Sequence, residues 1–431
     1  MAHHTRAAQI ARSRYSFEQA VAQLRHALDL LRRLPAGVER DAQEIGLQAE
    51  LITSVFSSDG PGAAEIEEIA VRIDALAASG ETTPALLTSM FASIGLSLTR
   101  SDLDRAEQLC ERALRRASTV EWGEFFAKVS RGLLGFAQYR RGRLAEAIPN
   151  LTAGTELPLV GASGMMEPAT GCASDLGMTL ILAGELRRGL DLMQDADARA
   201  DATGHPPTIV YSSSNMMRIG QILSDRAIVE RVAVKMGELG DRLVAPRISA
   251  YRLLCEGWQR ATDGHDDGVT TFREGWQLLA ADQHLSYGPF YAQQLAAALL
   301  RLGRVGDAHA ALDEAFALLE TTQARWCEPE LHRMRGEIVL AAATTHRPRT
   351  KAREEATRDA EKSFRRAIEV AEAQGARWWE LRACLDLARL RPSGKQGAEA
   401  LRRLRALHAD VDDGSDVADL AAIRELLNDT D

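Results

Sequence analysis

A small residue, a larger one four positions later and another small one three positions beyond it recur along this chain, each time after a short turn. The stripe reads Ala20, Leu24, Ala27 near the N-terminus, then Ala106, Cys110, Ala113, and then Ala147, Leu151, Gly154. It returns as Gly189, Met193, Ala196, as Gly268, Phe272, Gly275, as Ala308, Leu312, Ala315 and as Ala360, Phe364, Ala367. Positions i, i+4 and i+7 share one face of an α-helix. Small residues on that face let a neighbouring helix approach closely, while the large one fills the groove between the two.

A second helix precedes each stripe and ends at the turn, as in "FFAKVSRGLLGFAQYRR", "PATGCASDLGMTLILAG" and "PFYAQQLAAALLRLG". The turn itself is written "GRLAEA", "GELRRG" or "GRVGDA", glycine first. The unit is therefore helix A, tight turn, helix B, with degenerate copies around Ile66, Val229 and Ala400. Most successive stripes lie about 40 residues apart, and a fixed period in that range denotes a solenoid. Residues 1–431 are expected to form a single all-α, right-handed superhelical array of about ten helix-turn-helix repeats. A charged loop inserted at about 344–356 lengthens the step from Ala308 to Ala360, and a capping helix at about 415–428 closes the array. Ser16 with Gln19, and Ser101 with Asp104, follow the capping-box pattern ahead of two B helices.

Composition agrees with helices throughout. Alanine, leucine, arginine and glutamate dominate, all good helix formers, and the β-branched residues are too scattered for alternating strand runs. No apolar run approaches the ~18 residues needed to span a bilayer, and the N-terminus lacks the apolar core of a signal peptide. A cytoplasmic protein is expected, with no membrane partner. Cys110, Cys172, Cys255, Cys327 and Cys384 lie far apart without a C-x-x-C pair, the pattern of unpaired buried thiols in a reducing compartment. The net charge of −9 has the wrong sign for gripping a phosphate backbone, so no nucleic-acid partner is expected. The basic run "HRPRTKAR" from His346 carries no interleaved aromatics and reads as a solvated loop.

The stripe resembles the tetratricopeptide (TPR) repeat, although its period is longer than the usual ~34 residues. Longer helix pairs of this kind resemble the superhelical C-terminal region of bacterial signal-transduction ATPases, which couple an ATP-binding switch to a nucleotide cyclase, a kinase or a LuxR-type DNA-binding domain. The segments that carry the resemblance are "ARWCEPELHRMRGEIVLA", "DAEKSFRRAIEVAEAQGARWWELRACLDLARL" and "GSDVADLAAIRELL", with "AHHTRAAQIARSRYSFEQAVAQLRHALDLLRRLP" at the start. The chain departs from that family in having no G-x-x-x-x-G-K-[ST] phosphate loop; "PSGKQG" at Pro392 lacks the first glycine and the hydroxyl after the lysine. The resemblance thus implies a sensor or scaffold arm, with an ATPase or cyclase as a fused or associated partner. The first helix presents Ala7, Ala8, Ile10 and Ala11 on a narrow apolar face, where a preceding domain would dock or the array would close.

No constellation for chemistry stands out. "DGHDDGVTTFRE" places Asp263, Asp267, Gly268 and Glu274 at calcium-loop positions, but His265 occupies a ligand position and the repeat expects helix from about Asp267, so the segment reads as a turn. "GASGM" at Gly161 fails the G-x-S-x-G nucleophile pattern at Met165. No metal site or cofactor is expected, and no catalytic residue is assigned.

The aromatics are few and cluster on A helices, which line the concave binding face of a helix-pair solenoid. Tyr211, Tyr251, Tyr287, Tyr291, Trp326 and Trp379 have polar neighbours in Asn215, Gln294, Glu330 and Arg333. Rings beside polar groups are what a ligand groove needs; rings that plug gaps between repeats are the plainer reading for any single one, and at least two or three are expected to face the groove. The expected function is non-catalytic: capture of a peptide, protein partner or small effector in the groove, regulating a coupled signalling protein. A scaffold acting through the convex face is the alternative, and an enzyme the third.

Overall fold

The computed structural model describes residues 1–14, 16–58, 64–77, 82–158, 166–243, 245–345, 350–391, 395–411 and 417–429. Among these residues there are twenty-one α-helices, two short 3-10 helices and no strand. Two compact units divide the chain: Met1–Ala137, Asn150–Cys172 and Ala281–His284 form one, and Gln138–Pro149, Ala173–Ala280 and Leu285–Asp431 form the other.

The first unit begins with α1 (Ala2–Ser13), α2 (Phe17–Leu31), α3 (Val38–Ser58), α4 (Ala64–Ala77), α5 (Pro84–Arg100) and α6 (Leu103–Ala117). A 3-10 turn, Glu121–Gly123, leads into α7 (Glu124–Arg140), which, like α8 (Leu144–Thr155) and α9 (Pro168–Leu182), contributes residues to both units. The second unit continues through α10 (Leu186–Thr203), α11 (Pro206–Leu223), α12 (Arg226–Gly240), α13 (Pro246–Thr262), α14 (Asp266–Ala281), α15 (Gly288–Arg301) and α16 (Val305–Thr322). A second 3-10 turn, Arg325–Cys327, precedes α17 (Glu328–Thr345), α18 (Thr350–Gln374), α19 (Arg377–Leu390), α20 (Lys395–Asp410) and α21 (Ala418–Asn428).

Consecutive helices pack as hairpins, and odd-numbered helices also touch their odd-numbered neighbours: α3 meets α5, and α11, α13, α15, α17 and α19 follow one another. Two-layer contact of this kind defines a TPR-like helix-pair solenoid. Every residue of the seven small–large–small stripes is buried. Four of the seven large residues fit against a glycine of the preceding A helix: Leu151 on Gly135, Met193 on Gly177, Phe272 on Gly257, Phe364 on Gly336. A Cβ on those glycines would lie 2.3–2.7 Å from the partner residue, closer than packed atoms approach.

The recurrent turn glycine has a conformational cause. Gly142, Gly184, Gly264, Gly303 and Gly375 all have φ between 70° and 97°, the left-handed region that a side chain disfavours. At Gly142 the amides of Gly142 and Arg143 bond back to the carbonyls of Tyr139 and Gln138, both at 2.9 Å, which closes the A helix in a Schellman motif. Ser101 and Ser224 take the same conformation, with φ of 61° and 57°. Ser101 is thus the left-handed residue that ends α5 rather than an N-cap; Asp102 caps α6, accepting from the Arg105 amide at 3.2 Å. Ser16 holds the N-cap position of α2 without a side-chain bond.

One further expectation meets a different outcome. Most of the segment expected as a charged loop is helix, because α18 starts at Thr350 and its Lys, Arg, Glu and Ala residues favour that state; residues 346–349 lie outside the described ones. On α1, Ala8 and Ala11 are buried in a core shared with Ala20, Leu24 and Ala27 of α2, whereas Ile10 is exposed.

Candidate functional site

Two A helices of the second unit carry a single charge each in otherwise uncharged sequence: Asp175 in α9 and Arg218 in α11. Both are buried, so each must be hydrogen-bonded or paired. The face of α11 on which Tyr211, Ser214, Asn215 and Arg218 recur at helical spacing supplies most of what they need.

Asp175 accepts from the Tyr211 hydroxyl at 2.9 Å on each oxygen and from Asn215 Nδ2 at 2.7 Å, and Arg140 Nη1 lies 3.9 Å away. Asn215 Nδ2 also donates to Ser174 Oγ at 3.0 Å, while its Oδ1 accepts from Arg218 Nη1. Arg218 donates from Nε to the Tyr291 hydroxyl at 3.1 Å and from Nη1 to Ser214 Oγ at 3.2 Å. Its guanidinium rests over the Tyr287 ring, 3.5 Å from the centroid, with the Tyr251 ring at 5.9 Å. Arg140 Nη2 reaches the hydroxyls of Tyr287 at 3.3 Å and Tyr211 at 3.5 Å. Burial raises the Asp175 carboxyl above its ordinary range against the pull of Arg140, Tyr211 and Asn215, and it pushes the Tyr139 and Tyr211 phenols well up.

Trp326 packs beside this network, with its ring centroid 5.3 Å from Phe290, 5.7 Å from Tyr139 and 5.9 Å from Tyr287. Its carbonyl accepts from Trp379 Nε1 at 3.1 Å. Beyond it, Arg333 forms a fork to Glu330 at 2.8 Å on both oxygens, and also reaches Glu337 at 2.8 Å and Asp386 at 2.5 Å. Arg382 adds 2.8 Å to Glu330 and 3.0 Å to Asp419. Burial works to raise the Glu330 carboxyl, but Arg333 and Arg382 outweigh it and hold it below its ordinary range; Glu337, against Asp386, is raised by burial. Gln294 accepts from Trp258 Nε1 at 3.2 Å and donates to Gln293 at 3.1 Å.

Of the ten residues marked in the sequence, Tyr211 is half-buried and the other nine are buried in the second unit. Tyr211, Asn215, Tyr287 and Tyr291 meet around Arg218 and Asp175, with Tyr251 at the rim of that network; Glu330 and Arg333 form a separate ion cluster, and Trp326 and Trp379 stand between the two. Sequence reasoning missed Arg140, Asp175, Arg218 and Asp386. The readable signal was the lone charge in α9 and in α11.

Elsewhere, the five cysteines are buried, and burial pushes the Cys384 thiol up to about 12 and those of Cys110, Cys255 and Cys327 higher still. Helix α14 begins at Asp266, so Glu274 lies on a helix, while Asp263 and Asp267 pair with Arg226 and Arg260. The "GASGM" segment and the first residues of "PSGKQG" lie outside the described residues. Among the described residues no His, Cys, Asp and Glu group is placed to hold a metal ion, and no helix is long and apolar enough to cross a membrane.

The arrangement defines a class, an all-helical repeat protein with a polar and aromatic interior on its A helices. No protein-family model matches the chain, and no curated protein matches it in sequence. Solved structures with similar helical arrays include a Rap protein complexed with competence and sporulation factor (10% identity, 95% of this chain and 98% of that one, TM-score 0.46). Others are the apo quorum sensor NprR from B. thuringiensis (12% identity, 87% and 99%, TM-score 0.48) and a human IFIT1 dimer with PPP-AAAA (12% identity, 99% and 90%, TM-score 0.42). At such identities and scores these likenesses assign neither a family nor a ligand to the chain.

Proposed function

We propose that this chain is a non-catalytic binding module that captures a peptide, protein partner or small effector on the A-helix faces of its second unit. The observation that supports this reading most is the network around Asp175 and Arg218, which places two arginines, a carboxylate, an amide and three tyrosine hydroxyls where helix packing alone needs only apolar side chains. Buried charges stabilise a fold no better than well-packed apolar residues of similar volume. Their retention is accounted for by recognition of a ligand with matching polar groups.

The same reading makes the chain a regulator. Neighbouring A helices touch through the network, so a ligand that prefers one helix spacing shifts the chain toward it, by as much as its affinity differs between the two. The sequence resemblance to signal-transduction ATPases names the kind of partner that would read the shift, an ATPase or cyclase. The purified chain, incubated in a peptide- and metabolite-rich extract and re-isolated, should carry a bound species visible by native mass spectrometry. Asn215→Ala should lose that species while keeping its helical circular dichroism. Equal recovery on both proteins, or on neither, counts against the proposal.

A further inference from the structure

Arg218 is 1% exposed, yet among the described residues no carboxylate lies within 4.0 Å of its guanidinium. Its partners are two hydroxyls, an amide oxygen and a ring face, all uncharged, and it reaches Asp175 only through the Asn215 amide. The comparison with Arg333 is direct: that guanidinium is equally interior and has three carboxylates on it. A buried cation whose counter-charge, Asp175, lies an amide away and not in contact is costly for a protein interior to hold.

One turn further along the same side of α11 stands Gln221, 4% exposed, and among the described residues neither its Oε1 nor its Nε2 has a hydrogen-bond partner. Helix geometry puts side chains three residues apart about 5–6 Å from one another. A cation with no carboxylate in contact and an amide open to both a donor and an acceptor therefore stand one turn apart on α11. Inorganic phosphate meets the first need with its oxygens and can offer the second a P–OH, but its compact tetrahedron must then reach both side chains at once. A carboxylate joined to a peptide group satisfies both: its oxygens meet the guanidinium, and its neighbouring N–H and C=O pair with the glutamine amide.

Resting on the binding-module reading above, we infer that Arg218 and Gln221 form the anchor for the C-terminal carboxylate and last peptide group of a short peptide or peptide-like acid. Both side chains are closed in, so the ligand enters when α11 parts from its neighbouring A helices and is held as they close. The anchor and the change in helix spacing are then the same event.

The test uses the full chain with three probes: an N-acetylated tetrapeptide pool with free C-termini, the same pool C-terminally amidated, and inorganic phosphate. The free-acid pool raises the melting temperature of the wild type by a few degrees through mass action, and the other two do not. Arg218→Met, close in volume and uncharged, lowers affinity for the free-acid pool about tenfold or more. Gln221→Leu, which removes no existing hydrogen bond, keeps the wild-type melting temperature without peptide and weakens binding in the same direction, so the inference stays open to test even if Arg218→Met fails to fold. If both pools bind equally, or if the variants bind as tightly as the wild type, the anchor is wrong and the binding-module reading stands. A shift with phosphate alone overturns the peptide assignment, and no shift with any probe overturns the anchor and counts against the module reading as well.

Discussion

A Cβ on Gly257 would lie 2.3 Å from the backbone nitrogen of Phe272, so α13 and α14 meet there backbone against side-chain base with no room for a methyl group. Because backbone cannot swing aside as a flexible side chain can, Gly257→Ala should lower stability by about 2–3 kcal/mol in urea unfolding. Gly306→Ala is the control: among the described residues nothing lies within 4 Å of the added carbon, and the helix should gain about 0.5–1 kcal/mol. Equal effects at the two positions would remove the close approach as the reason for glycine in this register.

Ser101 and Ser224 occupy the left-handed position that glycine fills in five other turns. Ser101→Gly and Ser224→Gly should therefore each stabilise by up to ~1 kcal/mol, the relief of left-handed strain less the added freedom of the unfolded chain. Thermal unfolding of the single and double variants measures this, and additivity is expected for serines that belong to different compact units.

His205 is buried at the start of α11, its Nδ1 2.8 Å from Thr208 Oγ1, and burial lowers its pKa from 6.5 to about 4. A histidine whose folded pKa is depressed favours the neutral form in the folded state. Its stabilisation is present above pH 6.5 and is lost as the pH falls toward 4, by at most ~3 kcal/mol. His205→Asn should flatten the fall of melting temperature between pH 6.5 and pH 4. An unchanged slope in that window would place the acid sensitivity elsewhere.

Arg333→Met leaves Glu330, Glu337 and Asp386 without their shared cation and should cost about 3–5 kcal/mol at neutral pH. Without that cation the carboxyls take up protons more readily, so the deficit relative to wild type should shrink as the pH falls from 7 toward 5. Urea midpoints at the two pH values distinguish this from simple loss of packing, which would be pH-independent.

The hairpins were legible because their packing is local: Gly135 and Leu151, or Gly177 and Met193, lie on consecutive helices, and the spacing of small and large residues records the contact. Ser101 was misread because a serine before an acidic residue looks the same in sequence whether it caps the next helix or ends the previous one. The polar interior was legible only in part. Periodicity says which residues share a face of α11, but not that this face would meet Asp175 of α9, Arg140 of α7, Tyr287 at the N-cap of α15 and Tyr291 on it. A lone charge in an apolar helix is the local trace of such a meeting, and it does not name its partners.

The network around Asp175 and Arg218 also fixes an order of events during synthesis. Arg140 and Tyr287 are 147 residues apart, and Arg218 and Tyr291 are 73 apart, so their contacts close long loops, whereas each hairpin closes a short one. Hairpins can form as soon as their second helix leaves the ribosome. Until Tyr287 and α15 emerge, Arg218 has neither the Tyr287 ring to lie on nor the Tyr291 hydroxyl to bond, and Arg140 has no Tyr287 hydroxyl to reach. During that interval the nascent chain displays a charged, hydrogen-bonding face that the finished protein hides, and a chaperone or a ligand present at that moment meets it open.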